Sequence, residues 1–156
     1  MRIKEAAILT FFVASLLPVS NADAENGAFS SYLVGTYEKR FNGATNIQII
    51  NPTTNYLNVY VTFYDDQENC KLWLNVELSP NDLEELSTLN RVLVDLPTFG
   101  VVKIISHRDN APFEGIVGFQ TQCIWGMGCV QSNLAGIPNP IASEEIKKIM
   151  SDCGIQ

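Results

Sequence analysis

Apolar and polar residues alternate through the middle of this chain. The stretch LNVYVTFYD places Leu57, Val59 and Phe63 on one face and polar or aromatic residues on the other. A period of two with many β-branched and aromatic residues is typical of a half-buried strand. TNIQIIN before it and CKLWLNVEL after it continue the pattern, and the polar sequences NPTTN and DDQEN separate the three. The pattern therefore predicts two hairpins and a three-stranded antiparallel meander. One face of the last strand is predicted to carry Cys70, Leu72, Leu74, Val76 and Leu78.

More segments on either side of this meander also have strand character. SSYLVGTY, residues 30–37, is predicted to be an edge strand, and GVVKIIS and FEGIVGFQTQ are two further strands joined by the polar turn HRDNAP. Gly115 and Gly118 indicate a bulge or the close approach of another backbone. SPNDLEELSTL fits either a short helix or a strand that crosses to a second sheet. Short strands without long helices between them predict a mainly β fold, an antiparallel immunoglobulin-like β-sandwich of about seven strands with a short C-terminal helix.

The end of the chain has a different pattern. Glycines and prolines throughout residues 123–142 predict an irregular connector. The segment SEEIKKIMSDCG predicts a helix over residues 143–153, capped by Ser143 and ended by Gly154. Three turns are marginal alone, so we expect the apolar face of this helix to dock on the sandwich. That face consists of Ile146, Ile149, Met150 and Cys153. The predicted organisation is a β-sandwich over 25–122 and a disulfide-tethered tail over 123–156.

Residues 1–24 have the pattern of a secretory signal peptide. Arg2 and Lys4 precede the apolar run AAILTFFVASLL, and Ala22-Asp23-Ala24 offers the small residues of a cleavage site. The run is short for a membrane span, which needs about 20 apolar residues. We therefore expect an exported protein, periplasmic or extracellular, and the alternative is an uncleaved N-terminal anchor.

The charge of the chain narrows the choice of partners. Its formal net charge is −7 at pH 7, whereas nucleic acids and anionic membranes attract basic surfaces. No apolar run after the N-terminus approaches the length of a membrane span. We expect a protein that is not embedded in a membrane and does not bind nucleic acid. Its expected partner is a protein or a glycan in the cell envelope or outside the cell.

Four cysteines in an exported chain favour disulfides. Cys123 and Cys129 are too far apart in sequence for a zinc knuckle or a typical redox pair, so we predict no metal and no cofactor. A short Cys123–Cys129 bridge is one alternative. The expected ends of the strands favour Cys70 with Cys123 and Cys129 with Cys153, the second bridge tethering the helix. In that arrangement Trp125 and Met127 pack under the tail, and the alternative is an exposed tip.

Catalytic chemistry has little support in the sequence. His107 is the only histidine, and Ser106 beside it lies on the wrong side of a strand for a triad. The acidic turn at Asp65, Asp66 and Glu68 lacks the glycine and ligand spacing of a dedicated calcium site. We predict no catalytic residues, and a small secreted hydrolase that uses His107 is kept as an alternative.

Aromatic residues are the more suggestive feature. Tyr60, Tyr64 and Trp73 lie on the face opposite the aliphatic one, and Trp125 lies in the cysteine loop. These four predict a ligand or partner surface, because rings provide contact area at low entropic cost. The alternative is that the tail or the N-terminal segment covers this face. The expected function is a non-catalytic binding or structural module that recognises a protein through a sheet edge or an aromatic face. A carbohydrate-binding module, which would need exposed and coplanar rings, is a further alternative.

The run NIQIINPTTNYLNVYVTFYDDQENC, with VVKIISHR and EGIVGFQ after it, resembles the layout of small bacterial β-sandwich proteins such as the sensory rhodopsin transducer family. The resemblance covers roughly residues 45–120 and rests on the strand and turn pattern. The signal peptide, the four cysteines and the C-terminal helix depart from it. The resemblance implies a non-enzymatic sandwich and carries over no site residue and no partner.

Overall fold

The computed structural model describes residues 30–40, 43–89, 93–108, 111–113, 115–137 and 139–155. The predicted signal peptide lies outside the described residues. In this part of the chain the elements are β1 (Tyr32–Glu38), β2 (Ala44–Asn51), β3 (Leu57–Tyr64), β4 (Cys70–Leu78), β5 (Asp82–Ser87), β6 (Phe99–Arg108), β7 (Ala111–Pro112), β8 (Val117–Ile124), β9 (Gly128–Asn133), β10 (Ala135–Ile137) and α1 (Asn139–Cys153).

The strands form two antiparallel sheets. The first sheet has the order β10-β1-β6-β3-β4, with β7 paired to β6, and the second has the order β5-β2-β8-β9. One buried apolar cluster draws side chains from both sheets, so the core lies between them in a sandwich-like arrangement. The mainly β prediction with a short C-terminal helix is confirmed. From the first sheet the cluster includes Leu33, Tyr37, Val59, Val61, Phe63, Val102 and Ile104, and from the second Ile47, Ile49 and Leu86.

Strand β3 is buried on both faces. Its odd-numbered residues face the second sheet, as the alternation predicts, and its opposite face packs under α1. The residues that join α1 to the first sheet form a second apolar cluster. Lys103 on β6 reinforces this contact because its ammonium group lies 3.1 Å from the Glu145 carboxylate on α1. The second cluster consists of Tyr32, Tyr60, Tyr64, Ile105, Ile146, Ile149 and Ile155.

The predicted hairpin between β2 and β3 is wrong, and so is the three-stranded meander. These strands lie in different sheets, and the NPTTN segment carries the chain from one sheet to the other. Buried Asn51 stabilises this crossing, since its side-chain amide donates to the carbonyl oxygens of Asn55 at 2.7 Å and Ser79 at 2.8 Å. Turn-forming residues favour a reversal of direction but do not fix whether the next strand stays in the same sheet.

Other boundaries also differ from the prediction. Strand β1 is not an edge strand, because β10 pairs with its first half and β6 with its full length. The SPNDLEELSTL segment forms a strand, β5, which lies in the second sheet and pairs with β2. The expected connector after residue 122 instead supplies β9 and β10, so the sheets extend beyond the predicted limit of the sandwich.

The C-terminal helix is longer than predicted at its start. It begins at Asn139 rather than Ser143, and Pro140 is accommodated because the first turn of a helix does not need its N–H. The end agrees with the prediction: Gly154 has φ 63°, and the Ile155 N–H donates to the Met150 carbonyl at 2.9 Å. No helix in the described ranges is long and apolar enough to cross a membrane.

The preferred disulfide pairing is wrong. The bridges are Cys70–Cys153 and Cys123–Cys129. A register shift in the β3–β4 ladder between Phe63 and Tyr64 is the reason for the first, because it turns Cys70 away from the inner face where simple alternation places it. Cys70 then lies beside the second cluster, within reach of the helix. Two disulfides fit the oxidising compartment expected for an exported chain.

The second bridge, Cys123–Cys129, is the short pairing that the sequence analysis kept as an alternative. Cys123 on β8 and Cys129 on β9 face each other directly, with a Cα–Cα distance of 4.0 Å. The Leu134 N–H bonds to the Gly118 carbonyl, so the alternation of the ladder makes the cysteine pair a non-hydrogen-bonded one. Such pairs bring facing side chains closest together, which favours a cross-strand disulfide.

Candidate functional site

The predicted aromatic surface is largely covered. Tyr60 is 8% exposed and Tyr64 is 3% exposed, both in the cluster under α1, whereas Trp73 is 39% exposed. Tyr60 and Trp73 meet edge to face, with ring centroids 6.2 Å apart and an interplanar angle of 83°. The alternative in which the tail covers this face therefore holds, and the coplanar platform that a sugar ligand would need is not formed by these rings.

His107 is buried on the same face. Its ring stacks on Tyr60 with centroids 3.9 Å apart, and neither ring nitrogen has a hydrogen-bond partner among the described residues. Burial lowers the pKa of His107 below its ordinary value. Ser106 is directed to the opposite face of β6, and its hydroxyl donates to the Phe113 carbonyl. The two side chains are therefore not arranged as a nucleophile and its base.

We expect His107 to make the fold sensitive to acid. The pKa of His107 is lower in the folded protein than in the unfolded chain. The contribution of the neutral ring to the free energy of unfolding is therefore complete above pH 6.5 and is lost as pH falls through the folded pKa. A His107→Phe variant, which keeps a ring against Tyr60, should lose that part of the pH dependence. Urea unfolding of both proteins at pH 7.5 and pH 5 measures it. An equal loss of stability on acidification in both proteins contradicts the prediction.

The acidic turn between β3 and β4 has a structural role. The Asp65 carboxylate accepts hydrogen bonds from the backbone N–H groups of Gln67 at 2.9 Å and Asn69 at 2.8 Å. The Lys71 ammonium group lies 2.8 Å from the same carboxylate and, with these bonds, holds its pKa well below the usual range. The bonds close the hairpin and use the oxygens that a cation would need. No cluster that could hold a metal occurs within the described ranges.

The β8–β9 hairpin ends in an exposed apolar loop. Trp125 is 84% exposed and Met127 is 83% exposed, and the Val130 side chain beyond them is also exposed. We refer to these three residues as the apolar tip. The prediction that Trp125 and Met127 pack under the tail is wrong, because the tail docks on the first sheet. The exposed tip is the alternative that the sequence left open.

Local chemistry makes this tip rigid. The Met127 N–H donates to the Ile124 carbonyl at 3.0 Å and closes a four-residue turn. Gly126 has φ 80° at the third position of that turn, where a left-handed residue is required. The Cys123–Cys129 bridge joins the two strands at the base of the loop. The apolar tip is therefore fixed by a turn, a glycine and a disulfide rather than by burial.

Concave surfaces flank the base of the hairpin. One, of about 260 Å³, is lined by Glu38, Gln122 and Met127 among others. The other, of about 410 Å³, includes Leu89, whose side chain is exposed, and Trp125. No charged residue occurs from residue 122 to residue 133. This end of the second sheet thus combines protruding apolar side chains with shallow grooves.

Comparisons with known proteins find one protein of similar fold and do not identify a function. No protein-family model and no curated protein matches the chain. Among solved structures, the crystal structure of Thermotoga maritima 1070 matches with a TM-score of 0.54 at 14% sequence identity, covering 73% of this chain and 98% of that one. At this identity the likeness shows a shared fold alone: the chain is similar to that protein in the arrangement of its strands.

Proposed function

We propose that this chain is an exported, immunoglobulin-like, non-catalytic binding module in the periplasm or outside the cell, and that it recognises a protein partner through the apolar tip. The observation that supports this most directly is the exposure of Trp125 and Met127 on a loop that a disulfide holds in place. Monomeric proteins rarely present a rigid cluster of large apolar side chains to water unless the cluster has a partner.

The chemistry of the tip suits recognition. Tryptophan is among the residues that contribute most to binding when an interface buries them, and methionine adapts to irregular apolar surfaces. A loop held in its bound conformation also loses little entropy on association. The turn and the disulfide supply that order before binding. The expected partner therefore has an apolar pocket that admits the Trp125 ring.

A protein surface is favoured over a membrane. The segment from residue 122 to residue 133 contains no lysine or arginine, and the whole chain carries −7. Loops that enter anionic membranes are normally accompanied by basic residues that attract the lipid head groups. A glycan is disfavoured as well, since it is usually held between planar rings and polar groups, whereas the tip offers a lone indole among aliphatic neighbours.

Truncating the tip is expected to abolish recognition without affecting the fold. A photo-crosslinking residue at position 125 in the source cell would identify the partner, which is then purified and titrated. We expect the Trp125→Ala/Met127→Ala variant to bind it at least tenfold more weakly, as for an interface hot spot, with an unchanged melting temperature because both side chains are exposed.

Tyr56→Ala provides the matched control, because it removes a large, exposed aromatic side chain between β2 and β3, at the end of β2 away from the tip. It should leave partner affinity unchanged. Equal losses of affinity in both variants would show that the tip is not the binding site. Flotation of the wild type with phosphatidylcholine vesicles, lost in the tip variant, would assign the tip to a membrane and overturn the proposal.

A further inference from the structure

Strand β4 forms one edge of the first sheet, and its outer side is free in the described part of the chain. It pairs with β3 only. It is nine residues long, which makes it the longest of the edge strands described. An uncovered edge of this length offers a row of backbone donors and acceptors to another strand.

Hydrogen bonds elsewhere in the sheet identify which groups face outward. The Ser106 N–H donates to the Ser31 carbonyl, so even-numbered residues of β6 bond toward β1 and odd-numbered ones toward β3. Following this alternation through β3, the even-numbered residues of β4 bond toward β3. The N–H and C=O groups directed away from the sheet therefore belong to Trp73, Asn75 and Glu77, and Lys71, beside the register shift opposite Tyr64, lies at the end of this row.

The side chains of β4 are self-complementary. Lys71 and Glu77 stand three residues on either side of Leu74, the middle residue of the strand. Leu72, Leu74 and Val76 face the core but are only partly buried, because no strand lies beyond them. Glu77 has no ion-pair partner in the described ranges, and its side chain is exposed. Lys71 pairs with Asp65 of its own chain, but its side chain is 40% exposed and can contact a second carboxylate as well.

We propose that two copies of this chain associate through β4, in an antiparallel, two-fold symmetric pairing that sets Leu74 against Leu74 of the second copy. Lys71 then faces Glu77 of the second copy, and Glu77 faces Lys71. Trp73 faces Asn75. The two Trp73–Asn75 pairs exchange two hydrogen bonds each, about four across the interface, and a Lys71–Glu77 pair flanks them at either end. The partly buried leucines and Val76 become interior to a continuous sheet.

This register is the one that the strand favours. It uses the full length of β4, keeps outward-directed residues opposite one another, and places opposite charges in contact twice because of the symmetry. One edge strand of the second sheet, β5, differs from β4 in its charges. Strand β5 carries Asp82, Glu84 and Glu85 and no basic residue, so its self-pairing would bring acids together. Among the edge strands that the structure describes, only β4 combines length, an apolar row and a matched pair of charges.

The proposal predicts a pattern of charge reversals in sedimentation experiments on the disulfide-bonded protein. The wild type should be a dimer at micromolar to millimolar concentrations. Glu77→Lys places lysine opposite lysine, and Lys71→Glu places glutamate opposite glutamate, so each variant should dimerise at least about tenfold more weakly. An equimolar mixture of the two variants should form a heterodimer, because each contact then joins opposite charges.

Two further variants separate this interface from general effects. Asn75→Pro removes an outward N–H and leaves the bonds to β3, so it should give a folded monomer. Glu84→Lys makes the same charge change on β5 and should remain dimeric. A wild type that is monomeric at the highest concentration overturns the proposal, as does a dimer that both Glu77→Lys and Asn75→Pro leave intact. Tip variants should not alter the dimer, so failure here is distinguishable from failure of the proposed function.

Discussion

Replacing Cys70 and Cys153 together by serine is expected to lower the free energy of unfolding by about 4.5 kcal/mol. The bridge joins residues separated by 83 positions. In the chain-entropy model, the stabilisation grows with the logarithm of the closed loop, because the bridge excludes more conformations of the unfolded chain. Replacing both cysteines avoids leaving a free thiol.

The same change should loosen α1 before the sandwich unfolds. The helix is held by Ile146, Ile149 and Ile155 and by the ion pair between Lys103 and Glu145. Fifteen residues form a marginal helix in water, so its stability depends on these contacts. When the helix undocks, it uncovers buried tyrosines and isoleucines of the first sheet, and binding of a hydrophobic dye at neutral pH should increase.

Guanidinium unfolding measures the effect, and the other bridge provides the control. Cys123 and Cys129 are six positions apart, so their removal should cost about 2 kcal/mol in the same model. It should not increase dye binding, because β8 and β9 stay paired along their ladder and the bridge lies beside the exposed tip. If the two double variants lose equal stability, the long bridge does not constrain the chain as we infer.

Local patterns in the sequence predicted the strands well. Alternation identified β3 and β4, and the acidic turn between them is the hairpin expected, because its bonds form within the segment from Asp65 to Asn69. Gly115 and Gly118 were expected to mark a bulge or the close approach of another backbone, and at Gly118 the side chains of Leu134 and Leu33 occupy the space of a Cβ instead. Such features can be predicted because their contacts join neighbours in sequence or because a glycine leaves the space of a side chain open.

Features that depend on distant contacts were not predictable. After NPTTN, strand β3 could join the sheet of β2 or the opposite sheet, and the same turn residues are compatible with both. Packing between the two sheets decides which one it joins. The pairing of Cys70 depends on a one-residue irregularity opposite Tyr64, which moves the Cys70 side chain to the other face of the sheet. The alternation of apolar and polar residues gives no sign of this irregularity. The tip was expected to be buried because large apolar residues usually are; the glycines at 126 and 128 were the local sign of a tight, protruding turn.

Phe63→Ala is expected to lower the free energy of unfolding by about 4–5 kcal/mol, near the upper end for removal of a buried phenylalanine. Phe63 is fully buried and meets Tyr37 edge to face, with centroids 5.7 Å apart. The cost of such a truncation depends on whether the surroundings can collapse into the space. Here Tyr37 is held in place, because its hydroxyl donates to the Tyr64 carbonyl at 3.0 Å.

The backbone around this site is equally unable to move. A Cβ at Gly100 would overlap the Tyr64 carbonyl oxygen and press on the Tyr37 ring, so β6 already lies as close to both as it can. The cavity should therefore persist, remain dry and bind xenon or benzene.

Phe99→Ala is the control. The Phe99 ring is 36% exposed, and the Arg40 guanidinium lies over it, 4.4 Å from the ring centroid, so the loss of this ring should lower the free energy of unfolding by at most about 1 kcal/mol. Urea unfolding ranks the two, and a cost below about 2 kcal/mol for Phe63→Ala would mean that Tyr37 and β6 do close the space.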